Sequence, residues 1–459
     1  MHLIRLVTNV QICPILFDYP QEEIMKKVLR YFVFGAAVTL ALSNLAACGG
    51  GKKPTELGTP PVAESLTYEE RKEAAFDDLK DSAELFASQF AAAVNRTTTG
   101  ENFAVSPVSV YMALALGAEC AAGDTREELL SALNVTYPAL KTQFSDFYRS
   151  LIAEYTSYEG QVIGRLELSN SIWVNESAQT KEACIQSLAE KYFSYSYSAD
   201  FWNKNEAANQ AIRNFVKAKT HGLIDQNFGL KRETLFALIN TLYLKDVWNG
   251  SGKDLPFTEA QYDFTERDGT IQTLNLLQGG YITGRAVETE TFRHFYTSTY
   301  NGYRIKFILP KDGFTIDEVF TEANLAAVNA LTNYSGIDEK NKIEYRTRCL
   351  FPEFAAEYDE DVIPILKTEF GVKKLFSDAC DFSTLTDESV FCESVQHVTK
   401  LTVDKTGVEG AAVTILVDTA TSVPPYEYVF EDFVVDRAFG FILTDRYGVT
   451  LFSGVVNTI

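Results

Sequence analysis

The side chains that ordinarily carry out chemistry are few in this chain, and their spacing matches no catalytic motif. Beyond residue 48 only His221, His294 and His397 remain, and no HExxH, GxSxG, Walker-type or GxGxxG pattern occurs. Sequence alone leaves open a Ser/His/Asp triad assembled from distant positions. Cys120, Cys184, Cys349, Cys380 and Cys392 show neither CxxC nor Cys/His ligand spacing, so no zinc site is expected and no cofactor is implied. An odd set leaves at least one thiol free, and each reads first as a small buried hydrophobe.

One stretch is suited instead to being acted upon. Gly407 to Pro425, GVEGAAVTILVDTATSVPP, opens on small residues, passes through the β-branched and aliphatic run Val413–Val417, and ends on two prolines. Such a peptide can become a strand. Pro424 and Pro425 then stop any continuing ladder because neither has an N–H to donate. Read as a strand, it puts Val408, Gly410, Ala412, Thr414, Leu416 and Asp418 on one face and Glu409, Ala411, Val413, Ile415, Val417 and Thr419 on the other. On these residues alone an ordinary strand and turn is the simpler reading.

The elements that must position this stretch follow from periodicity. Phe76, Leu79, Phe86 and Phe90 fall at helical spacing between charged residues, which predicts an amphipathic helix over about 67–95. NFAVSP (Asn102–Pro107) reads as a strand and turn, and 108–121 as a second, largely apolar helix that should be central. Thr125 and Glu128 have capping-box spacing for a third helix. Helices are expected at 180–193 and 205–219, with strands at 166–174 and 235–244. Further strands follow at 303–309, 342–352, 390–403, 426–435, 439–444 and 449–456. Helices come first and strands dominate later without βαβ alternation, so the fold class is α+β, in one large domain.

Composition narrows the partners. A net charge of −21 over 459 residues argues against nucleic acid, and 46% hydrophobic residues with 32 Phe and 23 Tyr can fill a large core. The N-terminus adds a compartment. From Met25 the chain runs MKKVLRYFVFGAAVTLALSNLAACGGGKK: a basic start, an apolar core and a small-small-Cys site. This resembles a bacterial lipoprotein signal, which implies a lipid on Cys48, a signal peptide over 25–47 and an upstream start miscalled over 1–24. Residues 48–66 read as a flexible tether and 67–459 as the domain. The expected location is the envelope of a Gram-negative bacterium, at the outer membrane, touching lipid through the anchor only.

Several stretches, in order over most of the domain, resemble one family, the serpins: NFAVSPVSVYMALALGA, AAGDTREEL, LSNSIWV, LINTLYLKDVW with Asn240 and Trp248, FILPKDG and VDRAFGFILTDRYGVTLFSGVVN. The resemblance implies a serpin fold, large mixed and antiparallel sheets, and an exposed reactive-centre loop near the C-terminus. It makes the chain a protease inhibitor, not an enzyme, acting as a metastable monomer. Gly407, Val408, Glu409, Gly410, Ala411 and Ala412 then form the hinge, and Thr421–Ser422 the bond offered to a protease. Ser106, Ser109, Asn240 and His397 match the family's structural cluster under the point of sheet opening. Thr421, preceded by Ala420 and Thr419, suits elastase-like or subtilisin-like serine proteases, with papain-like cysteine proteases or a non-inhibitory binding lipoprotein as alternatives. Several positions depart from the family pattern. Val408 stands where Thr or Ser is usual, Gly410 replaces an alanine, and Lys405 and Thr406 precede the hinge where an acidic residue and a charged or polar one are usual. Asp418 puts a carboxylate on the inward face.

Overall fold

The apolar run after Pro107 is a helix with every residue buried, α3 below, in a computed structural model that describes residues 53–98, 100–248, 253–331, 334–409 and 426–459. A helix apolar all round must be wrapped on all sides, and this one is. The helices of the N-terminal half are α1 (Tyr68–Glu73), α2 (Asp77–Thr97), α3 (Pro107–Cys120), α4 (Gly123–Ala132), α5 (Tyr137–Leu151), α6 (Glu182–Tyr192) and α7 (Asn205–Lys219). Phe86 and Phe90 of α2 stack on each other, and Phe86 meets Tyr111 of α3 edge-on.

Eight strands build the main sheet: β1 (Thr55–Gly58), β2 (Ala153–Thr156), β3 (Val162–Asn175), β4 (Ser194–Ala199), β5 (Phe236–Val247), β6 (Phe354–Asp361), β7 (Gln396–Asp404) and β8 (Gly407–Val408). Their order is β1-β4-β3-β5-β8-β7-β6, with β2 paired to β3. Alternation along β5 serves two cores at once. Phe236, Leu238, Leu242 and Leu244 join the main core with α3, whereas Ala237 and Ile239 pack with Trp173 against Ile212 and Phe215 of α7. A second sheet runs from 287–288 through 292–298, 304–310, 439–444 and 450–456 to Phe103–Val105, and a third is built on Ile343–Phe351.

Four expectations are corrected. The helix expected over 67–95 is two helices: Thr67 caps α1 through a capping box with Glu70, and the interruption sets Phe76 against the Phe147 ring. Thr125 does not cap α4, whose N-cap is Ala122. Thr125 Oγ1 instead accepts the Asp381 N–H, and Glu128 accepts the N–H groups of Lys373 and Lys374, so tertiary contact takes both side chains. The tether is not flexible throughout: Thr55–Gly58 pairs antiparallel with β4, Leu57 packs on the core and Leu66 is buried. Gly58 permits this, since a Cβ there would lie 2.7 Å from Ile185 Cγ2. The strand expected from Val390 starts only at Gln396; the preceding segment holds Val390 and Cys392 in the core without a ladder of its own.

Candidate functional site: the cleft between β5 and β7

The two-residue strand β8 lies in the middle of the main sheet. It runs antiparallel to both neighbours, with Gly407 opposite Val247 and Asp404, and Val408 opposite Asp246 and Val403. β5 and β7 therefore run parallel to each other. Below Val408 they share no ladder among the described residues; lower down, Phe236 of β5 makes an isolated parallel bridge with Cys392, four residues before β7 begins. Among the described residues, the place between β5 and β7, the cleft below, is thus filled only by Gly407 and Val408 at its upper end, with the Phe236–Cys392 bridge at its lower end.

The upper end is tied by a turn. Asp404 Oδ1 accepts the N–H of Thr406 at 2.7 Å, the N–H of Gly407 at 3.1 Å and the Thr406 hydroxyl, the bonding by which Asp forms turns. The Asp404 carbonyl accepts from Trp248 Nε1 at 2.7 Å. Lys405 departs from the family pattern yet has acidic company: its Nζ lies 2.8 Å from Asp254, its N–H donates to Glu353, and its carbonyl accepts from Leu255. Val408 is fully buried in the main core.

Glu409 is the last residue described before the loop. Its φ of +51° is left-handed, a conformation costly for a non-glycine residue. Its N–H donates to Thr402 O. The Tyr243 hydroxyl donates to Glu409 Oε1 at 3.0 Å, whereas Oε2 is buried without a partner among the described residues, and burial pushes this carboxyl up. Across from Val408, buried Asp246 accepts two bonds from Asn301, and desolvation raises it to about 6.

The lower half of the cleft holds the polar cluster expected from the sequence, but not as one unit. Ser106 N–H donates to His397 Nε2 at 3.0 Å and Ser106 Oγ to Ser109 Oγ at 3.1 Å, so these three come together. His397 stands edge-on to Phe90, and burial drives it down to about 3, so the ring is neutral and can accept. Asn240, on the opposite bank, donates to Asn170 Oδ1, and Asn170 donates to Tyr192 O. No hydrogen bond joins Asn240 to the other three, and its Oδ1 is buried with no partner among the described residues.

None of the three histidines bonds both a serine hydroxyl and a carboxylate among the described residues: His221 pairs with Glu167, and His294 with the Tyr334 hydroxyl. Cys120, Cys184, Cys349, Cys380 and Cys392 are all free thiols. Gly410, Ala411, Ala412, Thr421, Ser422 and Asp418 lie outside the described residues, as do Cys48 and the leader over 25–47. The residues that sequence reasoning passed over are Tyr243, Asp246, Asp254 and Glu353. Only the Asp404-to-Gly407 turn pattern carried a local signal for this region.

The family model described as serpin (serine protease inhibitor) matches residues 81–459. Alpha-1-antiproteinase of Callosciurus caniceps is 26% identical over 385 residues, covering 81% of this chain and 87% of its own. Serpin-ZXA of Oryza sativa subsp. japonica is 27% identical over 399 residues, covering 81% of this chain and 95% of its own. Among solved structures, the native state of the thermophilic serpin tengpin superposes with a TM-score of 0.68 at 22% identity, covering 89% of this chain and all of that one.

Proposed function

The chain belongs to the serpin family, and on that premise we propose that it is a suicide inhibitor of serine proteases whose loop fills the cleft between β5 and β7. The single observation carrying this reading is that Gly407 and Val408 already form the first rungs of a strand there, antiparallel to both banks. Extending that register residue by residue gives each inward position a partner. Gly410 would face Leu244 and Leu401, Ala412 would face Leu242 and Thr399, and Thr414 would face Asn240 and His397. The row is small beside the buried leucines and hydroxylated beside the orphaned Asn240 Oδ1, as an entering strand requires. Asp418 would come level with Phe236, where the banks already meet, so its carboxylate falls at the end of the slot.

The chemistry belongs to the target. The protease serine adds to the Thr421 carbonyl, the Thr421–Ser422 C–N bond breaks, the Ser422 amine takes the proton, and an ester joins enzyme to Thr421. Release of the loop's far end lets residues 409–418 leave the Glu409 turn and enter the cleft. About ten new backbone hydrogen bonds at ~1 kcal/mol each would rival the 5–15 kcal/mol that stabilises an ordinary domain. The intact protein is then held in its state by a barrier rather than by an equilibrium. Small side chains before the bond favour elastase-like and subtilisin-like enzymes. The lipid on Cys48 would hold the inhibitor in the cell envelope, and Cys48→Ala should release it to the soluble fraction.

The test is incubation of the domain with elastase-, subtilisin- and papain-type proteases, followed by a denaturing gel and mass spectrometry. The expected product is a complex that survives denaturant together with a fragment running from Ser422 to Ile459. Cleavage with all protease activity retained would replace the inhibitor by a substrate-like or binding member of the family.

A further inference from the structure

The strand that follows the loop, Glu427–Val434, lies parallel to Ile343–Phe351, with Tyr428 opposite Glu344, Phe430 opposite Arg346 and Asp432 opposite Arg348. Opposed residues share a face, so Tyr428 and Phe430 stand in one row beside Arg346 and Arg348. The rings and guanidiniums make a continuous platform. Phe430 meets Tyr281 edge-on at 4.9 Å, the Arg346 guanidinium lies 4.0 Å over Tyr428, and that of Arg348 lies 5.0 Å over Tyr281. Ion pairs with Glu344 at 2.9 Å and Asp432 at 2.7 Å hold both arginines in place. Yet Phe430 is 57% and Tyr281 45% exposed, so the fold gains little burial from either. Preformed Tyr, Phe and Arg on a rigid sheet is the composition that dominates protein interfaces.

We infer that this platform is a second contact surface for the protease that attacks the loop, an inference that rests on the inhibitor reading above. Chain length selects the occupant. Four residues, five chain steps, separate Ser422 from Glu427, so the bond lies at most ~17 Å from the strand. A protease of roughly 250 residues has a radius of gyration of about 18 Å, so an enzyme closed on that bond overlaps this face. The loop decides which bond is cut, and the platform sets how fast its bearer is found and held.

The experiment compares the intact protein with its Tyr281→Ala/Phe430→Ala form, measuring the second-order rate of loop attack by elastase-, subtilisin- and papain-type proteases. The expected result is a fall of about tenfold for at least one enzyme, with melting temperature and moles of inhibitor consumed per mole of protease unchanged. Rates within twofold of the parent for every enzyme that cuts the loop would overturn the inference. So would loss of self-association in the variant without any rate change, which would assign the platform to a second copy of the chain. Attack on the parent without a stable complex defeats the trapping reading alone, and the rate ratio still judges the platform. Failure of all three enzymes to cut the parent overturns both. Should the double substitution unfold the chain, the single exposed change Phe430→Ser carries the same comparison.

Discussion

The two ends of the cleft are built on opposite principles. At the top the Asp404-to-Gly407 turn is densely bonded: three bonds to one Asp404 oxygen, the Trp248 indole on its carbonyl, and Lys405 between Asp254 and Glu353. Lower down, the banks carry a neutral His397 bound to one side and an Asn240 oxygen with no partner among the described residues. A satisfied turn is a fixed pivot, whereas an unsatisfied buried acceptor costs ~1–3 kcal/mol that an arriving donor can recover. The lesson is directional. On the proposed insertion, the strand would enter from the pivot downward, and the gain would come late, when the loop reaches the polar cluster.

The largest expected effect is at the pivot. Val408 is fully buried between Asp246 and Val403. Val408→Arg would carry a guanidinium into that core, at a cost of several kcal/mol. Denaturant-stable complexes should vanish while loop cleavage continues; retained inhibition would refute insertion at this register. His397→Ala comes next. It removes the ring packed edge-on against Phe90 and strands the Ser106 N–H, so a loss of about 2–4 kcal/mol in thermal or denaturant unfolding is expected, with the recognised protease unchanged. An unaltered melting curve would count against it.

Protonation separates the two ends by sign. His397 falls from 6.5 to about 3, so the stability it contributes is whole above pH 6.5 and is lost as pH drops toward 3. Asp246 rises from 3.8 to about 6, so its contribution is whole below pH 3.8 and is lost as pH climbs through 6. Melting temperature measured from pH 7 to pH 4 should therefore fall less in His397→Gln than in the parent, and fall more in Asp246→Asn; parallel curves for all three would erase the contrast. The smallest effect is Lys405→Ala. Its partner Asp254 and the lysine itself are nearly half exposed, so the change should cost under ~1 kcal/mol and shrink further in high salt.

Much of this was legible in the chain itself. The apolar run over 235–244 and the strand-like stretch over 390–403 marked strands, the largely apolar run after Pro107 marked a central helix, and the ordered family signatures supplied the fold. Other features were not legible because their cause lies far away in sequence. Thr125 and Glu128 looked like a cap until residues 373–381 took both side chains. Residues 55–58 looked like tether until Ser196–Ser198 offered them an edge. Sequence grouped Ser106, Ser109, Asn240 and His397 into one cluster, and only packing divided it.

The sequence by itself determined what each strand buries, since side chains alternate along a strand whatever lies beside it. It also determined which residues before Pro424 are small enough to pass between leucines. Tertiary structure decided where Gly407 and Val408 sit, because register is a property of two banks meeting a third strand, and no single segment contains it. Val408 is level with Asp246 and Val403 because the Asp404 turn and the Trp248 indole hold it there, contacts assembled from segments more than 150 residues apart in the chain.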